Sequence, residues 1–85
     1  GRIWLLGRAA EALDRVAEIL KTIAHPVRLL ILEKLETYKR LSVTDLMEHT
    51  QIEQSLLSHH LIKMKDKGIL RCSREGKNIY YELVD

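Results

Sequence analysis

SVTDLMEHTQIEQSLLSHHLIKMKDKG, residues 42–68, decides how this 85-residue chain folds. Ser42 stands directly before an apolar run, where a short hydroxyl side chain caps a helix. Val43, Leu46 and Met47 then share one face of a short helix that reaches His49. Thr50-Gln51-Ile52 is a tight connection, and a second helix occupies residues 53–67. Gly68 ends it, because glycine accepts the left-handed conformation that closes a helix. On that second helix Leu57, Leu61 and Met64 cluster on one side and must face a core. Gln54, Ser55, Ser58 and His59 fall on the opposite side, with Ile62 and Lys65 close to them. Two helices joined by three residues form a helix-turn-helix, which seats its second helix in a DNA major groove.

The flanking sequence extends this unit on both sides. Upstream, Leu6, Ala9, Ala10, Leu13, Val16, Ala17, Leu20, Ile23 and Ala24 recur at three- and four-residue steps, predicting a helix with a broad apolar stripe. Trp4, Leu5, Ala12 and Ile19 add apolar surface off that stripe. Such a helix either joins two subunits or lies across the core of one. His25-Pro26 breaks it, since proline disfavours helical geometry in the residue before it and suits the first turn of a helix. Val27, Leu30, Ile31 and Leu35 then mark a helix over residues 26–37, and the polar stretch 37–41 reads as a loop. Downstream, residues 69–74 and 79–84 are β-rich, with Glu75-Gly76-Lys77-Asn78 between them, predicting a hairpin. The fold class expected is mainly α with a small β-hairpin (α+β), a winged helix-turn-helix. It is expected to be a single domain over residues 1–85: an N-terminal helix at 1–24, the helix-turn-helix at 42–67 and the wing at 69–84.

Charge follows the same division. Residues 1–53 hold eight basic and eight acidic side chains. Residues 54–81 hold six basic (Lys63, Lys65, Lys67, Arg71, Arg74, Lys77) against two acidic (Asp66, Glu75), an excess of four. A cationic segment beside a Gln/Ser/His face suits a polyanion, although a solvated lysine face has the same composition. Gln pairs with adenine and Ser tolerates either base, while lysines and a helix N-terminus hold phosphates. The basic hairpin tip, Arg74, Lys77 and Asn78, is placed to reach phosphates or the minor groove, or else serves as a solubilising loop.

Other chemistries find little support. A chain of this size buries about 60% of its unfolded surface or a little more, so its margin is thin without a staple or partner. The single cysteine, Cys72, offers no disulfide and suits a reducing, cytoplasmic setting. Cys72 reads as a partly buried structural thiol, with oxidant sensing as its alternative. No Cys/His zinc spacing occurs, and adjacent His59 and His60 point about 100° apart on a helix, a poor chelate. Ser58, His59 and Asp66 lack the geometry of a triad. Neither a catalytic site, a metal site nor a cofactor is expected, and no apolar run approaches the roughly 20 residues of a membrane span.

Four segments together resemble the ArsR/SmtB-type winged-helix repressors. They are LKTIAHPVRLLIL (residues 20–32), LSVTDL (41–46), QSLLSHHL (54–61) and REGKNIYYEL (74–83), in order and spanning residues 17–85. The resemblance implies a homodimeric, sequence-specific transcriptional repressor that binds a near-palindromic operator in double-stranded DNA and leaves it on induction. It carries the base-reading role to Gln54, Ser55, Ser58 and His59 and the wing role to Arg74, Lys77 and Asn78; Lys63, at a position usually apolar in the family, is a further candidate DNA contact. It also assigns the first helix, with Leu6, Ala9, Leu13, Val16 and Leu20, to subunit pairing. Metal-sensing members carry two cysteines where this chain has Ser42 and Thr44, and hydroxyls do not supply the thiolates that a soft metal needs. Asp85 matches the first ligand of a second metal site on a C-terminal helix of the family; the sequence stops there, so that site and that helix are either absent or outside it. Ile62 stands where the family often has lysine. A winged-helix protein-interaction module and a non-specific architectural DNA binder remain the alternatives.

Overall fold

A computed structural model describes the backbone of residues 2–84 and the side chains of residues 10–84. In chain order the elements are α1 (Arg2–Ile23), α2 (Pro26–Tyr38), β1 (Arg40–Ser42), α3 (Val43–Thr50), α4 (Gln54–Asp66), β2 (Leu70–Glu75) and β3 (Asn78–Leu83). The winged helix-turn-helix expected from the sequence is present, with a third strand added.

The breaks between helices follow from local chemistry. His25 is extended (φ −151°, ψ 131°), as a residue before proline must be, and its Nδ1 accepts the Val27 N–H at 3.1 Å. Ser42 caps α3 through a reciprocal pair: its Oγ accepts the Asp45 N–H at 3.0 Å, and Asp45 Oδ2 accepts the Ser42 N–H at 3.1 Å. At the end of α4, Gly68 (φ 76°) donates to Lys65 O and Ile69 donates to Met64 O, a Schellman closure.

Residues 37–41 are not the loop that their polarity suggests. α2 continues to Tyr38, Lys39 ends it with a positive φ of 71°, and β1 pairs antiparallel with β3. Leu41 drives the pairing by entering the core opposite Tyr81. With β2 on the other side of β3, the strand order is β1-β3-β2. The hairpin turn is also shorter than expected. Glu75 pairs with Asn78, which leaves Gly76-Lys77 as a two-residue turn with Gly76 at φ 61°. A first turn residue of positive φ is the demand that favours glycine there.

One core joins every element from α2 onward. Ile31 and Leu35 of α2, Leu46 of α3, Leu57, Leu61 and Met64 of α4, and Leu41, Leu70 and Tyr81 of the sheet are all buried. The register puts Leu41, Cys72 and Tyr81 on the same face, against that core, so Cys72 is a half-buried packing thiol. α1 supplies none of these residues. Among its described residues only Thr22 is buried, while Leu13, Val16 and Leu20 are 69%, 52% and 58% exposed. The radius of gyration, 15.5 Å, exceeds the roughly 12 Å of a compact chain this long because α1 projects from the body. Over its described side chains, residues 10–23, this helix does not lie across the core of the chain.

Candidate nucleic-acid interface

The interface is built on the α3–α4 pair. Gln51, Ile52 and Glu53 separate the helices, one residue later than the sequence suggests, because Thr50 still closes the last turn of α3. Its hydroxyl donates to Leu46 O at 2.6 Å, and Gln51 takes the left-handed conformation (φ 59°, ψ 27°) that redirects the chain.

Glu53 is the N-cap of α4 rather than its first residue. Its carboxylate accepts the Ser55 N–H at 2.9 Å and the Leu56 N–H at 2.7 Å. These two backbone hydrogen bonds hold the carboxyl below the usual glutamate range. They also occupy the helix terminus with a negative charge, so the expectation that the α4 N-terminus itself holds a phosphate is not met.

α4 sorts its residues sharply. Leu57, His60, Leu61 and Met64 are buried, while Gln54, Ser55, His59, Ile62, Lys63 and Lys65 are exposed and Ser58 is half-buried. At 100° per residue Ser55, Ile62 and His59 lie opposite the buried face, with Ser58 beside them. Gln54 flanks this surface on the side facing the wing, and Lys63 lies toward the other flank. Ile62, 49% exposed, sits among Ser and His side chains, and exposed Asp66 ends the same face in the last turn of the helix. The helical period places it there, as the sequence indicates, although it is not among the residues assigned to DNA contact.

The wing meets α3 and α4 in a cleft of about 150 Å³ lined by Val43, Thr44, Met47, Gln54, Lys77, Asn78 and Ile79. Gln54, Lys77 and Asn78, distant in sequence, thus share one concavity. Ser55, Ser58, His59, Lys63 and Arg74 lie outside it. The strand register sets Arg74 opposite Ile79 on the face that carries Cys72 and Tyr81, and there it is exposed beyond the core. Thr44 and Met47 are cleft residues that sequence reasoning did not single out for DNA contact, since an α3 side chain is recognised there only once the wing is in place.

Ion pairing separates the cations of this segment. Lys67 pairs with Glu18 and Arg71 with Glu82. Lys63, Lys65, Arg74 and Lys77 have no ion-pair partner among the described residues. The unpaired cations of this segment lie on α4 and at the wing.

Comparison with known proteins agrees with this geometry. Residues 25–71 match the sequence profile of the family described as "Bacterial regulatory protein, arsR family". The chain is 43% identical over 72 residues to the transcriptional repressor PagR of Bacillus anthracis, covering 85% of this chain and 72% of PagR. It is 40% identical over 76 residues to the HTH-type transcriptional regulator NmtR of Mycobacterium tuberculosis, covering 89% of this chain and 62% of NmtR. Against the crystal structure of PagR the TM-score is 0.82 at 41% identity, over 89% of this chain and 86% of that one. Reduced HlyU from Vibrio cholerae gives a TM-score of 0.84 at 28% identity, over 92% and 81%. The polar helix face, the basic wing and these likenesses converge: the chain belongs to the bacterial arsR family of regulatory proteins, as a winged-helix DNA-binding transcription regulator and not an enzyme.

Proposed function

We propose that the chain is a homodimeric, sequence-specific repressor that reads a near-palindromic operator in double-stranded DNA. The observation that carries this reading is the exposed surface of α4, continuous with a wing cleft and edged by unpaired cations. Gln54, Ser55, Ser58 and His59 read base edges, with Ile62 among them. Lys63, Arg74, Lys77 and Asn78 hold the backbone on either side.

Residues 1–24 serve as the pairing helix. Leu13, Val16 and Leu20 follow the i, i+3, i+7 spacing of one stripe and lie bare, a surface that a second α1 would cover. Leu6 and Ala9 extend the stripe in sequence but fall outside the residues whose side chains are described. Two-fold pairing places two recognition helices about one DNA turn apart, which is why a near-palindromic site is expected. A chain that works on the chromosome works in the cytoplasm, and no described helix is long and apolar enough to cross a membrane.

Induction by a soft metal at the α3 site does not suit these residues. Ser42 and Thr44 offer hydroxyls, and the Ser42 hydroxyl is already committed to capping α3. No thiolate-bound inducer acts at Ser42 and Thr44, and no cofactor is invoked. Sedimentation at micromolar concentration tests the dimer, and enrichment of duplexes from a random-sequence pool tests the readout. A strict monomer, or a pool from which no sequence is enriched, would contradict the proposal.

A further inference from the structure

The buried side of the recognition helix carries a polar contact that the DNA face does not explain. His60 is 4% exposed, and its Nδ1 accepts the Arg28 Nε–H at 3.0 Å. The same guanidinium donates from Nη1 to the Thr22 carbonyl, 2.8 Å away in the last turn of α1. One side chain of α2 thus ties α1 to α4. A guanidinium only donates, so Nδ1 must hold a lone pair and the His60 proton must sit on Nε2. The contact exists only while His60 is neutral.

The surroundings make protonation costly. The His25 ring, at the α1–α2 junction, lies 4.5 Å from the His60 ring, and His59 lies 5.3 Å away on the same helix. The groups that act on His60 are His25, Arg28 from α2, and His59. All three are basic, and α1 meets the cluster through the Thr22 carbonyl that Arg28 engages. Burial first, then these charges, hold the imidazole below the ordinary histidine range.

We propose that Arg28 and His60 form a proton-sensitive latch that positions the recognition helix, so that acidification weakens DNA binding before it unfolds the domain. The inference rests on the DNA-reading role of α4. Protonation of Nδ1 removes the acceptor and sets a second cation against the guanidinium. α4 then loses this polar tie to α1 and α2 on the side opposite the bases, while its core packing and the Lys67–Glu18 pair remain. His60 and Arg28 are positioning residues and touch no DNA.

His59 is a second imidazole, exposed on the DNA-reading face itself. The test is therefore made in a His59→Asn background, at constant ionic strength, with duplexes that the wild-type chain enriches from a random pool. Circular dichroism follows helicity at each pH. From about pH 8 to about pH 5.5, affinity in this background should fall about three- to tenfold while helicity is kept. Adding His60→Asn should flatten the profile, since the amide oxygen takes the place of Nδ1, accepts from Arg28 and does not titrate. Should that variant not fold, Arg28→Lys, whose single ammonium does not span both acceptors, should lower affinity near pH 8 and flatten the profile likewise. Unchanged affinity in the His59→Asn chain, or an equal fall after His60→Asn, would overturn the latch. A wild-type chain that enriches no duplex would instead overturn the DNA reading beneath it.

Discussion

Arg40 of β1 reaches across the central strand to Glu75 at the far end of β2, with Nη2 2.6 Å from Oε1. On the way its guanidinium lies 4.0 Å above the Tyr80 ring and donates to Ser73 Oγ at 3.3 Å. The strand that sequence polarity concealed thus braces the wing tip. Arg40→Ala should cost less than about 1 kcal/mol of global stability, because the pair is largely exposed. It should nonetheless speed amide hydrogen exchange in residues 74–79. Exchange at the unaltered wild-type rate would show that the brace is idle.

Leu20 tests the pairing helix. It is 58% exposed and not among the buried core residues, so Leu20→Glu should leave the fold of residues 26–84 intact by circular dichroism. Sedimentation should show a shift to monomer, with affinity for an enriched duplex falling about a hundredfold as bivalent binding is lost. A dimer of unchanged strength would move the interface elsewhere.

Ile62 occupies the centre of the recognition surface, where an apolar side chain suits a thymine methyl group. Ile62→Lys should steepen the dependence of log K on log salt by about one unit per engaged subunit. The preference for thymine at one half-site position should fall as well. Equal salt slopes and equal preferences in both chains would remove Ile62 from the interface.

Glu53 links acidity to α4. Its carboxyl is held low by the Ser55 and Leu56 amides, so its contribution is present above the unfolded glutamate value near 4.3 and lost as pH falls through the lower folded value. Glu53→Ala should lower the urea midpoint at neutral pH, and the difference from wild type should close in acid below that folded value. A gap that persists there would mean that Glu53 acts other than as a charged cap.

Much of this architecture is legible in the residues because local chemistry and burial agree. Ser42, Pro26 and Gly68 punctuate the chain where the structure breaks, and Leu57, Leu61 and Met64 face inward as their spacing demands. β1 escapes notice because three residues are too few for alternation, and only the distant partner Tyr81 makes Leu41 a strand residue. The cleft that unites Gln54 with Lys77 and Asn78 depends on how the wing folds back, which no local pattern encodes. His60 looks like half of an exposed His-His pair until Arg28, 32 positions earlier, is seen to hold it.

The central claim is that the exposed face of α4 reads bases, and the ratio of specific to non-specific duplex affinity tests it most directly. The ratio is measured at one fixed salt concentration for the wild-type chain and for Gln54→Ala with Ser58→Ala. The double substitution should lower the ratio about tenfold or more while affinity for random duplex stays unchanged, since each lost base contact is worth about 1–3 kcal/mol. An unchanged ratio would contradict the account and place the readout on some other surface.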